Sequence, residues 1–139
     1  MGPRLNEQVC FALYSTSGTI TRAYQRLLAP HRLTYPQFVV MMSLWHHDGA
    51  TQKAIAESIG ITKGTLSPIL KNLEMNGYIT RNSPPGNDRI KSVFLTTAGK
   101  TLAEQGERIA EQALCATGLT LTEANDVIRL CTKIKDHLG

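Results

Sequence analysis

The sequence predicts one mainly α-helical domain with a small β-hairpin, arranged as a winged helix-turn-helix between N- and C-terminal helices. Three observations support this fold class. Apolar residues recur at helical spacing in several segments of the chain. In the middle of the chain, two short helical segments flank a glycine turn, as in a helix-turn-helix. Two β-type segments separated by turn-forming residues follow directly, and a hairpin in that position is a wing.

The N-terminal third is predicted to form two helices. The first extends from about Glu7 to Leu28 with Asn6 as its N-cap, and the proline-containing segment 29–32 ends it. Thr34 is the expected cap of the second helix. Residues 38–45 are apolar on nearly every side, so this helix is expected to be buried all round.

The middle of the chain is predicted to form the helix-turn-helix. A short helix extends from Lys53 to Ile59 with Thr51 as its cap, and Gly60 turns the chain. Thr62 caps the next helix, the predicted DNA-recognition helix, which Asn76-Gly77 stops. The apolar residues of this helix recur at i, i+3, i+4 and i+7, which defines its buried face: Leu66, Ile69, Leu70 and Leu73.

The C-terminal part is predicted to form the wing and two long helices. The wing strands are residues 78–81 and 92–96, joined by a loop dense in turn formers. A helix then extends from Thr97 to about Thr117 and is expected to be weakened by two glycines, Gly99 and Gly106. The last helix, from Thr120 to Leu138, carries an apolar stripe of Ala124, Val127, Ile128, Cys131 and Leu138.

Charge and targeting features narrow the function classes. The net charge is +4 and the isoelectric point is near 9.1. Residues 51–93 contain six cations and three anions, whereas residues 97–139 contain five cations and six anions. The positive excess of the helix-turn-helix and wing is compatible with nucleic-acid binding. No signal peptide and no membrane-spanning apolar run is visible, so a cytoplasmic protein without membrane association is expected.

The histidines and cysteines do not predict a metal site or a cofactor. Adjacent helical residues point about 100° apart, so His46 and His47 cannot share a metal ion within one turn. Cys10, Cys115 and Cys131 contain no CxxC pair, which argues against a thiolate zinc site. A disulfide framework is not expected in a chain without an export signal.

Cys10 lies in the predicted first turn of helix one. Unpaired N–H groups and the positive end of the helix dipole favour a thiolate there, although most free cysteines are small buried hydrophobes. The residues alone support a sensor and a structural role about equally. Tyr14 lies one turn further on the same face. Tyr24 lies about 21 Å along the axis, so it can reach only the Cys10 of a second, antiparallel copy if the helix is straight.

The two other cysteines differ in position. Cys131 lies on the apolar stripe of the last helix, which favours a structural role in the core. Cys115 points away from the stripe of Leu102, Ile109 and Ala113, so it is expected to face solvent or a partner.

Five segments together resemble one protein family. They are Gln8-x-Cys10-Phe11-Ala12-Leu13-Tyr14, the later Tyr24, Thr34-Tyr35-Pro36-Gln37, Gly64-Thr65-Leu66-Ser67-Pro68 and Gly77-Tyr78-Ile79-Thr80-Arg81. With the order of the helices and the wing, they resemble the multiple antibiotic resistance regulator (MarR) family, and within it the organic hydroperoxide resistance regulator (OhrR) branch. The resemblance covers nearly the whole chain, and the Cys10 segment with its tyrosines is its most specific part.

This resemblance implies a homodimeric transcriptional repressor and no enzymatic activity. Residues 1–33 and 97–139 would form the dimer, and residues 51–96 would bind DNA. In such proteins organic hydroperoxides oxidise the N-terminal cysteine, here Cys10, and the dimer then releases its operator.

The resemblance also implies roles for residues around Cys10. Tyr14, Tyr24 and Tyr35 would support the thiolate, the last two by hydrogen bonds across the dimer. Some members of this branch pair the sensing cysteine with a resolving cysteine of the other subunit. Cys115 lies at about that position in this sequence.

A near-palindromic double-stranded operator is the expected DNA partner. Thr65 and Ser67 are the expected base readers, the lysines are expected to contact phosphates, and Arg89 at the wing tip is expected to enter an A·T-rich minor groove. The family's wing usually carries an acidic residue two positions before its arginine, where this chain has Asn87. The predicted DNA-binding residues are Thr62, Lys63, Thr65, Ser67, Pro68, Lys71, Arg89 and Lys91.

Two other function classes remain open from the residues. A MarR-type repressor that releases DNA on binding a small aromatic ligand, with Cys10 structural, would be indifferent to Cys10→Ser. A thiol peroxidase would leave the DNA-binding half unexplained, and the sequence contains nothing that resembles a peroxidase motif.

Overall fold

A computed structural model describes residues 1–139 and contains six α-helices and one two-stranded antiparallel sheet. In chain order these elements are α1 (Val9–Leu28), α2 (Tyr35–His46), α3 (Gln52–Ile59), α4 (Lys63–Met75), β1 (Ile79–Asn82), β2 (Ser92–Leu95), α5 (Thr97–Ala116) and α6 (Leu121–Leu138). Short 3-10 turns at residues 5–7 and 29–31 lie before and after α1. The predicted fold class, a mainly helical winged helix-turn-helix, is confirmed.

The hydrophobic core is built around α2. Four of its apolar side chains, Phe38, Val40, Met41 and Leu44, are at most 1% exposed, which confirms the predicted burial of this helix. The side chains that pack with them come from every part of the chain except α6: Leu28, Leu33, Ile55, Leu66, Leu70, Leu73, Ile79, Val93, Leu102 and Ile109. A single core therefore holds the N-terminal helix, the helix-turn-helix, the wing and α5 together.

Side-chain caps define the starts of five of the six α-helices, including α5, where Thr96 accepts the Gly99 N–H. Thr34, Thr51 and Thr62 accept hydrogen bonds from backbone N–H groups of the first turns of α2, α3 and α4, as predicted. Thr120 forms a capping box with Glu123 at the start of α6. These caps explain why the sequence located these boundaries to within about two residues.

The predicted cap of the first helix is wrong. Asn6 lies inside the 3-10 turn, and α1 begins at Val9, two residues later than expected. Gln8 occupies the N-cap position with an extended backbone, and its side chain donates to the Arg4 carbonyl rather than capping the helix. Cys10 is nevertheless in the first turn of α1.

The two glycines of α5 have a packing role that the sequence did not indicate. A Cβ on Gly106 would lie 2.5 Å from the ring of Trp45, and one on Gly99 would overlap the Tyr78 carbonyl oxygen. Trp45 Nε1 donates to the Gly99 carbonyl at 2.9 Å. The glycines therefore let α5 approach α2 and the end of the helix-turn-helix closely, which offsets the low helix propensity of glycine.

The wing is joined to the start of α3. β1 pairs with β2 from Ile79 opposite Leu95 to Asn82 opposite Ser92. Ser92 also forms an antiparallel bridge with Thr51, and the Gln52 N–H donates to the Lys91 carbonyl at 2.9 Å. The wing and the first helix of the helix-turn-helix are thus held at a fixed separation.

The last helix differs from expectation. No residue of α6 is buried, and Val127 and Ile128 are 46% and 63% exposed. The predicted apolar stripe is present, but nothing in the same chain covers it. Cys131 is half-buried, so its predicted place in the core of this chain is wrong.

Candidate nucleic-acid interface and cysteine site

A positively charged cleft of about 460 Å³ lies between the helix-turn-helix and the wing. Five of its lining residues are cations and none is a carboxylate. The lining residues are Thr51, Gln52, Lys53, Lys63, Ser67, Arg81, Arg89, Ile90 and Lys91. A concave surface with cations on both walls concentrates positive potential and is suited to a polyanion.

Four predicted DNA-binding residues meet in this cleft. Lys63 and Ser67 come from α4, and Arg89 and Lys91 come from the wing. The other four are exposed on or next to α4 but do not line the cleft: Thr62, Thr65, Pro68 and Lys71. The exposed side of α4 and the cleft together form one continuous candidate interface.

The start of α4 is shaped by its cap and its proline. Thr62 Oγ1 accepts the Thr65 N–H at 3.2 Å, and the two hydroxyl oxygens are 3.0 Å apart. The hydroxyl of Thr62 therefore serves as the cap of α4. Pro68 lacks an N–H, so the carbonyl of Gly64 is left without its usual helical donor. Gly64 itself is exposed, and a Cβ there would meet only Thr62 Oγ1 at 3.9 Å.

Arg81 lines the cleft but was not among the residues predicted from the sequence to bind DNA. Alternation along β1 puts Arg81 on the same face as the buried Ile79. There its guanidinium donates to both carboxylate oxygens of Glu74, at 3.3 and 3.2 Å. These hydrogen bonds, together with the nearby positive charges of Arg81 and Lys91, hold the pKa of Glu74 below its usual value. The pair joins the end of α4 to β1 and positions Arg81 at the cleft.

In the wing turn, Asn87 stands two positions before Arg89, where the wing of the resembling family usually carries an acidic residue. Asn87 Oδ1 accepts the backbone N–H of Arg89 at 3.1 Å, and the Asn87 N–H donates to the Pro84 carbonyl at 3.1 Å. The chain contains two salt bridges, Glu74–Arg81 and Asp126–Arg129, so the Arg89 side chain has no acidic partner. The amide fixes the backbone of the turn and leaves the guanidinium available.

Cys10 is exposed at the second position of α1. The N-cap residue Gln8 makes no side-chain bond to this turn, so its first N–H groups are not satisfied by a cap. Tyr14, one turn further, is 80% exposed. The thiol therefore lies at the positive end of a 20-residue helix, next to an exposed phenol.

Tyr24 and Tyr35 form an aromatic pair with a ring-centroid separation of 4.9 Å, and Tyr24 is 5.8 Å from Phe38. The pKa of Tyr24 is raised above its usual value, mainly by burial and to a smaller extent by the electrostatic effect of the nearby Tyr35. Because α1 is continuous from Val9 to Leu28, Tyr24 lies about 21 Å along the helix from Cys10. The tyrosine pair and Cys10 are thus not brought together within one chain.

Cys115 is exposed at the end of α5, as predicted. All three cysteines are free thiols in this structure. The chain contains no group of three or more His, Cys, Asp or Glu side chains that could hold a metal ion. None of its helices has the length and apolar character that a membrane span requires.

Comparisons with known proteins agree with this description. The model of the MarR family matches residues 33–91. The transcriptional regulator TtmR of Methylorubrum extorquens is 36% identical over 134 residues, which cover 96% of this chain and 69% of that protein. The organic hydroperoxide resistance transcriptional regulator of Bacillus subtilis is 35% identical over 127 residues, which cover 91% of this chain and 84% of that protein.

Solved structures of AbfR are also similar. AbfR of Staphylococcus epidermidis is 28% identical, with a TM-score of 0.81 over 97% of this chain and 93% of that chain. Two further AbfR structures are 26% identical and cover 97% of this chain. Reduced AbfR bound to DNA gives a TM-score of 0.83 over 92% of that chain, and disulfide-formed AbfR gives 0.70 over 90%. Overoxidised AbfR bound to DNA gives a TM-score of 0.81, so this fold is more similar to both DNA-bound AbfR structures than to the disulfide-formed one.

Proposed function

This chain belongs to the MarR family of transcriptional regulators, and from that premise we propose that it is a homodimeric repressor that senses organic hydroperoxides through Cys10. Reduced protein binds a near-palindromic operator, and oxidised protein releases it. The observation that carries the DNA-binding part is the cleft between the helix-turn-helix and the wing, with five cations and no carboxylate.

In this proposal α4 enters the major groove and the wing lies along the adjacent minor groove. Ser67 and Thr65 read base edges near the start of the helix, while Lys63, Lys71 and Lys91 contact phosphates. Arg89, which has no acidic partner, enters the minor groove. To the predicted set we add Lys53 and Arg81, because both line the same cleft.

The dimer part of the proposal rests on α6. Apolar residues of α6 and of the start of α1 are left uncovered in a single chain, and a second copy of the chain is proposed to cover them. Each of the following residues is at least 40% exposed: Val9, Leu13, Leu121, Val127, Ile128, Leu130 and Leu138. Residues 1–33 and 97–139 then form the dimer, and residues 51–96 bind DNA. Two-fold symmetry places two recognition helices about one DNA turn apart and so requires a near-palindromic site.

The sensing chemistry begins with the Cys10 thiolate. The sulfur attacks one peroxide oxygen, the O–O bond breaks, and the alkoxide that leaves takes up a proton, so sulfur is oxidised to sulfenic acid and the peroxide is reduced to an alcohol. The thiol of Cys115 of the other subunit then attacks the sulfenic sulfur. A disulfide forms and water leaves.

Three observations support the assignment of Cys10. It is exposed in the first turn of a long helix, at the positive end of the helix dipole. Tyr24 and Tyr35 form one aromatic pair on α1 and α2, in reach of a partner's Cys10 if the two α1 helices pack antiparallel. A regulator of organic hydroperoxide resistance is 35% identical over 91% of the chain.

The DNA-binding part is tested by selection from a random duplex library with reduced protein. We expect one near-palindromic sequence to emerge, referred to below as the selected duplex. Failure to enrich any sequence would contradict the proposal.

The sensing part is tested by mass spectrometry after treatment with one equivalent of cumene hydroperoxide. We expect the gain of one oxygen atom on the peptide that contains Cys10, and then a Cys10–Cys115 disulfide that links two chains. Non-reducing electrophoresis should show a covalent dimer that Cys115→Ser abolishes and Cys131→Ser retains. A Cys10→Ser protein that still leaves the selected duplex on peroxide treatment would show that the sensor lies elsewhere, and release by aromatic acids alone would favour the ligand-responsive alternative.

A further inference from the structure

The segment that follows the recognition helix is hydrogen-bonded to the turn at the end of α1. The Tyr78 hydroxyl donates to the His31 carbonyl, and Asn76 Nδ2 donates to the Arg32 carbonyl, both at 3.0 Å. The bonded residues are 47 and 44 positions apart in sequence. The two bonds therefore join the DNA-reading half to the N-terminal half, rather than completing a local turn.

The same segment is bonded on its other side to the start of α5. The Gly77 carbonyl accepts the hydroxyl of Thr96 at 2.6 Å, and the Tyr78 carbonyl accepts the Thr96 N–H at 3.1 Å. Thr96 also caps α5 through the N–H of Gly99. The end of α4 is thus held between the turn that follows α1 and the first turn of α5.

The turn that follows α1 is anchored in the core on both sides. Arg32 has a φ of 57°, which makes it the only residue other than glycine in the left-handed region. Leu28 and Leu33, on either side of the turn, are 0% and 5% exposed and are anchored in the core. The Arg32 N–H donates to the Ala29 carbonyl and the Leu33 N–H to the Leu28 carbonyl, so the carbonyls of His31 and Arg32 are held in place relative to the end of α1.

We propose that Asn76 and Tyr78 are positioning residues for DNA recognition. Their side chains fix the C-terminal end of α4 to the end of α1, while the bonds to Thr96 supply a pivot at α5. A displacement of α1 then changes the angle at which α4 meets the major groove. The inference rests on the proposed function for its redox part, since α1 carries Cys10 at its opposite end.

The test uses a double variant, Asn76→Ala with Tyr78→Phe, which removes the two donors and keeps the aromatic ring in the core. The matched control is Thr101→Val, which removes a hydroxyl bond to the Thr97 carbonyl within α5. Affinity for the selected duplex is measured for the reduced protein and after treatment with cumene hydroperoxide. Emission of Trp45, the only tryptophan, and thermal unfolding establish that each variant is folded.

We expect the double variant to bind the selected duplex about tenfold more weakly in the reduced form, because α4 is no longer held at one angle. Oxidised affinity should stay within about twofold of the unmodified protein, so the ratio of reduced to oxidised affinity should fall about fivefold or more. Thr101→Val should keep the full ratio.

The opposite results are equally specific. An unchanged ratio in a folded double variant, or an equal loss of both affinities, would show a merely structural role and overturn the inference. If the unmodified protein does not respond to peroxide, the redox proposal fails, and the positioning role is judged on reduced affinity alone: a tenfold loss supports it and no loss refutes it. If the double variant does not fold, Tyr78→Phe is measured alone, with about a threefold loss of reduced affinity as the criterion.

Discussion

Lys63 is the first residue of the recognition helix, it is exposed, and it lines the cationic cleft. A positive charge at this end of a helix opposes the helix dipole and costs about 0.3–1 kcal/mol of stability. The replacement Lys63→Met keeps the length of the side chain and removes the charge. Thermal stability should therefore stay the same or rise slightly, whereas affinity for the selected duplex should fall.

The size of the effect follows from counterion release. The logarithm of the binding constant changes with the logarithm of salt concentration with a slope of about −0.9 for each phosphate contact. A dimer of Lys63→Met loses two contacts, so the slope becomes less steep by about 1.8. Between about 50 and about 200 mM salt, the affinity of the variant should therefore decline about 12-fold less than that of the unmodified protein.

Fluorescence anisotropy of the labelled selected duplex, titrated at several salt concentrations, measures this slope. Lys100→Met is the matched control, because Lys100 is an exposed lysine of α5 that does not line the cleft. Equal slopes for the two variants would refute the assignment of Lys63 as a phosphate contact. A lower affinity accompanied by a lower melting temperature would instead indicate damage to the fold.

Three further substitutions give distinct results. The methyl group of Gly64→Ala has room, so this substitution should raise the free energy of unfolding by about 1 kcal/mol. It should also weaken DNA binding if the DNA backbone approaches the start of α4 closely. Unchanged affinity in a binding titration would contradict that close approach. Gly106→Ala forces a methyl group against Trp45, so thermal unfolding should show a loss of about 1–3 kcal/mol together with altered tryptophan emission, and a wild-type melting temperature would show that α5 is less tightly packed than described. Arg89→Ala should leave the melting temperature unchanged and weaken binding most on duplexes with A·T-rich flanks, whereas equal losses on G·C-rich flanks would place Arg89 outside the minor groove.

Local sequence signals were sufficient for most of the fold. Thr34, Thr51 and Thr62 were identifiable as caps because a threonine before a helix can satisfy free N–H groups of the first turn. The turn at Gly60 was identifiable because the left-handed backbone there, with a φ of 75°, favours glycine. The buried face of the recognition helix was identifiable because apolar residues that recur at helical spacing lie on one side of the helix.

The errors occurred where the partner of a residue is distant in sequence. The Gly99 and Gly106 positions looked like weak points of a helix, because the close approach of Tyr78 and Trp45 cannot be read from the sequence of α5 alone. The apolar stripe of α6 correctly indicated a surface to be covered, but periodicity does not say whether the cover lies in the same chain. Cys131 was placed in the core for that reason.

The candidate interface was predicted in part. Lys63, Ser67, Arg89 and Lys91 lie on elements that are typical of DNA contacts, and they converge in one cleft. Arg81 was missed because a strand arginine next to a buried isoleucine resembles an ordinary structural residue. Its place at the cleft depends on its ion pair with Glu74. The two residues are seven positions apart in sequence and become neighbours only when β1 folds back along α4.

Redox control of DNA binding by Cys10 is tested most directly by one titration. Reduced protein is bound to the labelled selected duplex, cumene hydroperoxide is added in substoichiometric steps, and anisotropy is followed before and after addition of dithiothreitol. We predict complete release at about one equivalent of peroxide per Cys10 and recovery of binding on reduction, with Cys10→Ser bound throughout. Release of the Cys10→Ser protein at the same peroxide concentration, or continued binding of the unmodified protein, would contradict the account.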